Sequence, residues 1–479
     1  MIILADNRKV TYMTIKMKYN GERFAVIMVL GLCIFSCFIF PGTITASLFV
    51  LAMIYMAVVE KNALLKSRKI TNSFYMIVPV LFSAFQNVYL AMGVEHQSSI
   101  SLHVLLSSHV LLVMLVVVLN YKLICLKLPN IVLIFLVVLV HGILMYIIYP
   151  APITSLISAT RNIISCILIY GYAYIIGEFC DEKKFYNFLN LITWMVILFG
   201  IYEYCLGIGV WKSIGITQLW SLKGIATNVA GVPMNWYSSE IIGGQQLRRM
   251  VSTFADPVNL GTYLFAAFIA AWYCKKKVLT LLIVLCCFLT ISKGAMLGFL
   301  VFAIVYVWFR DKSKIGVPII FSICIIFSVI FIEYSISTST GSLMAHIGGF
   351  VSSLSLLVTN PFGLGIGNVG VLSGLFSLSL SNTDVMETGI GVIIAQLGWV
   401  GLLCYVIFFM YLYKLPQKWL KGDIKKKVAY YTLLFSFILN ALFNEVALSP
   451  NSCALYFILL AHFNVSMKQR QIEVKEGLE

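Results

Sequence analysis

The sequence predicts an all-α polytopic integral membrane protein, with about 14 transmembrane helices and two long loops on one side. Composition is the first reason. Of 479 residues, 61% are hydrophobic and only 11% are charged, and the mean hydropathy is +0.96. A water-soluble domain carries roughly 25% charged residues, so this chain has too little polar surface to meet water on all sides. The second reason is pattern: apolar residues come in runs of span length, not in the alternation of barrel strands. The third is the placement of lysine and arginine, taken up below. No polar linker divides the chain, so residues 1–479 are read as a single bundle.

A helix needs about 20 apolar residues to cross a bilayer. Runs of that kind place spans at Phe24–Phe40, Thr43–Val59, Ser73–Gly93, Ile100–Leu119, Asn130–Tyr149 and Asn162–Gly177. Further spans fall at Phe188–Leu206, Pro257–Tyr273, Val278–Thr290, Ala295–Phe309 and Ile315–Ile332. The last are Gly389–Tyr413, Val428–Glu445 and Cys453–Met467. The polar, basic N-terminus precedes an apolar run with no small-residue cleavage site after it, so that run is expected to be retained as a span.

Basic residues give an independent check on this map. With the N-terminus placed inside, all but six of the 34 Lys and Arg residues fall in inward segments. That is the bias of the positive-inside rule, and it puts both termini in the cytoplasm. A net charge of +15 would suggest nucleic acid as the partner of a soluble protein. Here the charge flanks apolar spans and sets orientation, so no nucleic-acid partner is expected. The 12 cysteines show neither disulfide nor zinc spacing and read as packing residues.

The six exceptions, Arg161, Lys212, Lys223, Arg248, Arg249 and Lys293, lie on the outward side. A charge that violates the topological bias marks a candidate functional position. Two outward segments are long, 207–256 and 335–388. The first carries Trp211, Trp220, Trp236 and four of the exceptions. The second carries no Lys or Arg, and its Leu343, Ile347, Phe350, Leu354 and Leu357 recur at helical spacing, as in a helix lying at the membrane surface. Only 32 residues separate Lys277 from Arg310, too few for two full spans. The chain is therefore expected to turn back at Ile291–Gly294, near or below the outer surface, with Lys293 at the bottom of an outward cavity.

The segment RRMVSTFADPVNLGTYL begins at Arg248 and enters a span at Pro257, a favoured first helical residue. Two arginines at a helix mouth suit an anion: guanidinium groups bind phosphate bidentately and the helix end adds partial positive charge. The competing expectation is an ion pair of these arginines with Asp256 or Glu240.

This segment resembles the R-x-x-S/G-T-F-x-x-P pattern of the O-antigen ligase and polymerase superfamily. Three more segments resemble that family in the same order: LTISKGAMLG, with Lys293 where arginine is usual; NPFGLGIGNVG from Asn360 to Gly370; and METGIGVIIAQLGWVGLL from Met386. Ligases carry His-Asn about eleven residues before the glycine of the last segment. Counting back eleven from Gly398 gives Glu387, which is closer to the polymerase pattern.

The resemblance implies a glycosyltransferase at the periplasmic face of a bacterial inner membrane, acting in surface polysaccharide synthesis. Its substrates would be two polyprenyl diphosphate-linked glycans, donor and acceptor, with a flippase and a chain-length regulator as candidate partners. Arg249 is expected at the diphosphate, with Arg248, Lys293 and Arg161 as helpers and Asp256 nearby. Glu387 is the candidate for activating the acceptor hydroxyl. His346, in the surface helix, is the alternative, and would matter most to a ligase. Asn360, Gly363, Gly365 and Gly367 are expected to let the backbone approach sugar or phosphate closely. The outward segments hold no metal-binding cluster and the inward ones no nucleotide loop, so no metal, cofactor or nucleotide is expected. A lipid-linked oligosaccharide flippase or other transporter is the alternative of a different class; transporters commonly show two related halves, and none are seen here.

Overall fold

The computed structural model describes residues 25–66, 69–242, 245–310, 340–370, 388–418 and 423–475, with scattered single residues between 311 and 339. The described residues form an all-α polytopic membrane bundle. Its helices are α1 (Ala25–Ile39), α2 (Gly42–Leu65), α3 (Lys69–Met92), α4 (Ser99–Leu119), α5 (Tyr121–Lys127) and α6 (Pro129–Ile148). There follow α7 (Ile153–Gly177), α8 (Glu182–Leu206), α9 (Gly209–Ser213), α10 (Ile216–Leu222), α11 (Pro257–Tyr273) and α12 (Lys277–Thr290). The chain continues with α13 (Lys293–Arg310), α14 (Thr340–Thr359), α15 (Gly389–Lys414), α16 (Ile424–Phe443) and α17 (Pro450–Lys475). Every span expected from sequence falls on one of these helices except Ile315–Ile332, which lies largely outside the described residues.

Eight of the described helices are long and apolar enough to cross a membrane: α2, α3, α4, α6, α7, α8, α13 and α15. Of the other six expected spans, α1, α11 and α12 are short, and Ile315–Ile332 lies largely outside the described residues. The last two, α16 and α17, carry polar residues such as Asn440, His462 and Asn464 on faces turned into the protein. α17 is the centre of the bundle. From Cys453 to Val465 every residue is buried, and it packs against α7, α11, α3 and α16. A helix surrounded by protein has no need of an all-round lipid-compatible surface. The lipid-compatible surface is supplied instead by helices such as α6, whose Leu133, Leu136, Val140, Ile143 and Ile147 are exposed.

The helix starts are set by local chemistry. Ser98 and Ser101 form a reciprocal capping box before α4. Asp181, Asp256, Thr388 and Asp423 accept backbone N–H groups at the starts of α8, α11, α15 and α16. One end of the bundle is rich in lysine. There Lys127 and Lys468 meet Glu178, and Lys425 donates to the Tyr273 carbonyl at 2.6 Å. The opposite end is capped by the described residues of 207–256: α9, α10, an antiparallel hairpin of β1 (Tyr237–Ile242) and β2 (Gln245–Arg248), and short 3-10 turns. Trp211 and Trp236 are fully buried beneath this cap, 6.0 Å apart at a steep angle.

Two irregularities position the site. α12 has only 14 residues, about 21 Å at 1.5 Å per residue against a hydrocarbon core of about 30 Å. It ends in Ile291 at φ +48, and α13 starts two residues later. The expected turn at Ile291–Gly294 is therefore present, with Thr290 and Ser292 fully buried. The second irregularity is in α15, which breaks at Gly398, φ +59. An open break at membrane depth leaves backbone groups unpaired, so protein must cover it.

Candidate functional site

The cap is fastened to the bundle by two arginines. Glu203, near the end of α8, is fully buried, and its Oε1 accepts the backbone N–H of Val251 at 2.9 Å and of Ser252 at 3.1 Å. Its other oxygen pairs with Arg248 Nη2. Arg248 also donates to the carbonyls of Tyr204 (3.1 Å) and Glu203 (3.0 Å), at the negative end of α8. Arg248 thus has its carboxylate partner in Glu203, a residue the expectation did not name; the Glu240 side chain lies outside the described residues. Asp256 is engaged elsewhere: Oδ1 caps α11 through Val258 N (3.0 Å) and Asn259 N (2.7 Å), and Oδ2 accepts from Asn235 (2.7 Å).

Arg249 holds the turn below. Its Nε donates to the Thr290 carbonyl at 2.8 Å, Nη2 to Ile291 at 3.2 Å and Nη1 to Asn235 at 3.1 Å. The next residue continues the seam, with Met250 N donating to the Leu289 carbonyl at 2.9 Å. Lys293, half-buried, opens α13 directly after this turn. The segment beginning at Arg248 and the segment LTISKGAMLG are therefore joined side by side, although about 40 residues apart.

The glycine-rich segment covers the break in α15. Leu364 N donates to the Ala395 carbonyl (2.8 Å), Gly365 N to Gln396 (3.1 Å) and Gly367 N to the Gln396 side chain (3.3 Å), while Trp399 N donates to Pro361 O (2.9 Å). His141 Nε2 lies 3.0 Å from the Phe362 carbonyl and 3.1 Å from that of Leu397. Gly363, Gly365 and Gly367 all have φ near +90, and a side chain at Gly363 would collide with the Gln396–Leu397 backbone. Gly363 thus lies close against the break itself, whereas Gly365 lies against Tyr149 and Gly367 against Ala151 and Leu156, at the connection from α6 to α7. Asn360, half-buried at the end of α14, donates to Thr359 Oγ1 at 3.2 Å.

A turn that the motif reading did not single out, residues 440–452, meets all four motif segments. Asn440 packs on Gly294 and donates to Thr262 Oγ1 at 3.2 Å. Ser449 and Ser452 donate to Asn259 Oδ1 at 3.0 and 2.6 Å. Gly370 lies against the carboxylate of buried Glu445, and Gly389 against the carbonyls of Ala441 and Asn444. Polar residues within an apolar run, Asn440, Asn444 and Glu445, were the available sequence signal. Glu387 lies outside the described residues, but the next residue, Thr388, caps α15 at this turn through Gly391 N (3.0 Å). His346 falls within α14, with its side chain outside the described residues.

Arg161 and Lys223 form a separate group at the same end. Arg161 is on α7, where Nη1 donates weakly to the Leu106 carbonyl (3.4 Å) and Nε is buried without a partner. Lys223 ends α10, donates to Asn87 Oδ1 at 2.7 Å and sits 4.4 Å from the face of Trp220. Neither cation has an ion-pair partner among the described residues. Burial, reinforced by Arg161 and opposed by Asp256, pushes the Lys223 ammonium down to about 7. No group of three or more metal-ligating side chains occurs among the described residues.

These features define a polytopic helical membrane protein in which the end opposite the lysine-rich one is roofed by a folded loop and built on a short helix and a broken one. Compared with known proteins, the chain matches no family model and no curated sequence.

Proposed function

We propose that the chain is a polysaccharide polymerase, a glycosyltransferase moving a polyprenyl diphosphate-linked glycan onto another lipid-linked repeat unit. The capped end then faces the periplasm, and the lysine-rich end and both termini the cytoplasm of a bacterial inner membrane. One observation carries the proposal: the four segments that resemble the O-antigen ligase and polymerase superfamily meet at one end of the bundle, around residues 440–452.

In this mechanism the acceptor hydroxyl attacks the anomeric carbon of the donor sugar. The bond from that carbon to the diphosphate breaks, and polyprenyl diphosphate leaves. Negative charge grows on the diphosphate, so the enzyme needs fixed positive charge beside it. Lys293 supplies that charge, and Arg249 holds the Thr290–Ile291 turn that positions it. Glu387 accepts the proton of the attacking hydroxyl or orients it.

The test uses purified protein in liposomes with lipid-linked repeat units offered on the outer side, without ATP. Chain extension supports the polymerase. Transfer only to a lipid A core acceptor would make it a ligase, and transbilayer movement without new glycosidic bonds would make it a flippase or transporter.

A further inference from the structure

An apolar groove lies at the lysine-rich end of the bundle, remote from that mechanism. It is lined by Val117 and Val118 in the last turn of α4, Ile124 of α5, Phe135 of α6, and Leu168 and Gly171 of α7, and it exposes no polar surface. Gly171 forms its floor: a methyl group built on this residue would meet no atom within 4 Å. The side chains at its rim, Val118, Tyr121 and Leu136, are exposed. The groove therefore opens sideways, onto the surface that a membrane-spanning bundle turns to lipid.

The chain joins this groove to a charged cluster by two routes. α5 gives Ile124 and Cys125 to the groove and ends one turn later at Lys127. α7 gives Gly171 to the groove, and Glu178 follows seven residues on, two turns along the same face and about 10 Å away. Lys127 and Glu178 are an ion pair, so the two routes meet. The other oxygen of Glu178 lies 3.8 Å from Lys468 Nζ on α17. Two ammonium groups thus share one carboxylate, which leaves one positive charge in excess. Aromatic faces lie beside both, Phe179 at 5.6 Å from Lys127 and Tyr174 at 6.0 Å from Lys468. The next two carboxylates are engaged elsewhere: Asp181 accepts Lys184 N at the start of α8, and Glu182 accepts the Tyr273 hydroxyl. Lys122, exposed on α5 beside Tyr121, adds a further cation.

We propose that the groove and the Lys127–Lys468 pair bind one anionic phospholipid, with an acyl chain in the groove and the phosphate on the two ammonium groups. Each half of the ligand answers one half of the site. The open space over Gly171 takes hydrocarbon, and the excess positive charge takes an anion at the depth where a headgroup begins. Basic pockets between transmembrane helices hold anionic headgroups by this combination. A zwitterionic lipid brings the same chain, but its own cation offsets the attraction. The bound lipid ties α5 to α7 and covers the Gly171 face that α4 and α6 leave open. This inference is independent of the polymerase reading, since it requires only that the chain span a membrane.

The experiment is a lipid titration of the full chain in detergent, with bound lipid counted by native mass spectrometry. Dioleoylphosphatidylglycerol and dioleoylphosphatidylcholine are the probes, because they share their chains and differ in headgroup. The wild type is expected to bind its first phosphatidylglycerol at least about fivefold more tightly than phosphatidylcholine. Lys127→Gln and Lys468→Gln should each abolish most of that preference. Glu178→Gln, which releases both ammonium groups, should tighten phosphatidylglycerol further. Gly171→Leu fills the open space and should weaken both lipids alike, by at least about tenfold. Its melting temperature should hold, since leucine is the better helix former. Equal wild-type affinity for the two lipids would overturn the site. So would a preference that survives both lysine substitutions, or full lipid binding by Gly171→Leu. A dimer that Gly171→Leu dissociates would give the groove to a second copy and overturn the site as well. Melting temperatures check that each variant is folded. Lys468→Gln, at a partly exposed side chain, keeps the headgroup arm decisive should Lys127→Gln unfold.

Discussion

The guanidinium of Arg249 reaches from the cap to the carbonyl of Thr290, 2.8 Å away, and ties the capping loop to the end of a helix of only 14 residues. A charged donor in that position satisfies carbonyls the α12 terminus leaves open, and it opposes the negative end of the helix dipole. Replacing Arg249 with Ala should remove three hydrogen bonds at once, at a cost on the order of 2–4 kcal/mol. Surface glycan chains should shorten or vanish, with the melting temperature reduced. Arg249→Lys should recover part of the stability but little of the chain length, because one ammonium spans the Thr290, Ile291 and Asn235 carbonyls poorly. Full-length chains from the alanine variant at normal protein level would remove the positioning role.

The pair of Glu203 and Arg248 predicts a different pattern. Glu203 is fully buried and bonded to two backbone N–H groups as well as to Arg248. Removing one member leaves the other charge uncompensated, which costs about 3–5 kcal/mol for a buried pair. Arg248→Met and Glu203→Gln should therefore each destabilise strongly. The double variant should be less damaged than the sum of the two, as a thermal-melt cycle would show. Strict additivity would mean that the two charges are not coupled.

The break in α15 is testable through one glycine. Gly398 has φ +59, and a side chain there would overlap the backbone of Pro361 and Phe362. Gly398→Ala should cost upwards of about 1–3 kcal/mol from strain alone and displace the Asn360–Gly370 segment, with loss of chain extension. Gly31→Ala makes a control: this glycine lies within α1, and no neighbouring atom stands within 4 Å of an added methyl group. It should be neutral or stabilise by up to about 1 kcal/mol. Equal effects from both substitutions would show that the break has no special requirement.

The spans and the tight turn before Lys293 were legible because lipid imposes a simple rule on length and polarity, and because 32 residues cannot cross twice. The partners of the outward charges were not. Glu203 sits at the end of an apolar run and reads as a span-end residue, so nothing in the sequence ties it to Arg248, 45 residues later. The glycines of the Gly363–Gly367 run announced a close backbone approach without saying to what; Gly363 lies against the break in α15, and Gly365 and Gly367 against the connection from α6 to α7. The Asn440–Ser452 turn was invisible to motif reading because its contacts are set by helix packing. Arg161 and Lys223 stood out only by breaking the charge bias. That neither has an ion-pair partner among the described residues depends on how α3, α4, α7 and α10 pack around them.

The ammonium of Lys223 gives the pH dependence its sign. Its pKa in the folded protein lies at about 7, well below the ordinary lysine value of 10.5. Between those two values the unfolded chain holds a proton that the folded chain has lost, so stability without ligand should rise with pH above about 7. The charged groups that act on Lys223 are Arg161 on α7 and Asp256 before α11. Lys223→Arg should lose this rise, because a guanidinium stays charged throughout. Thermal melts from pH 7 to pH 9 in which the wild type and the arginine variant share one slope would show that Lys223 is not the titrating group.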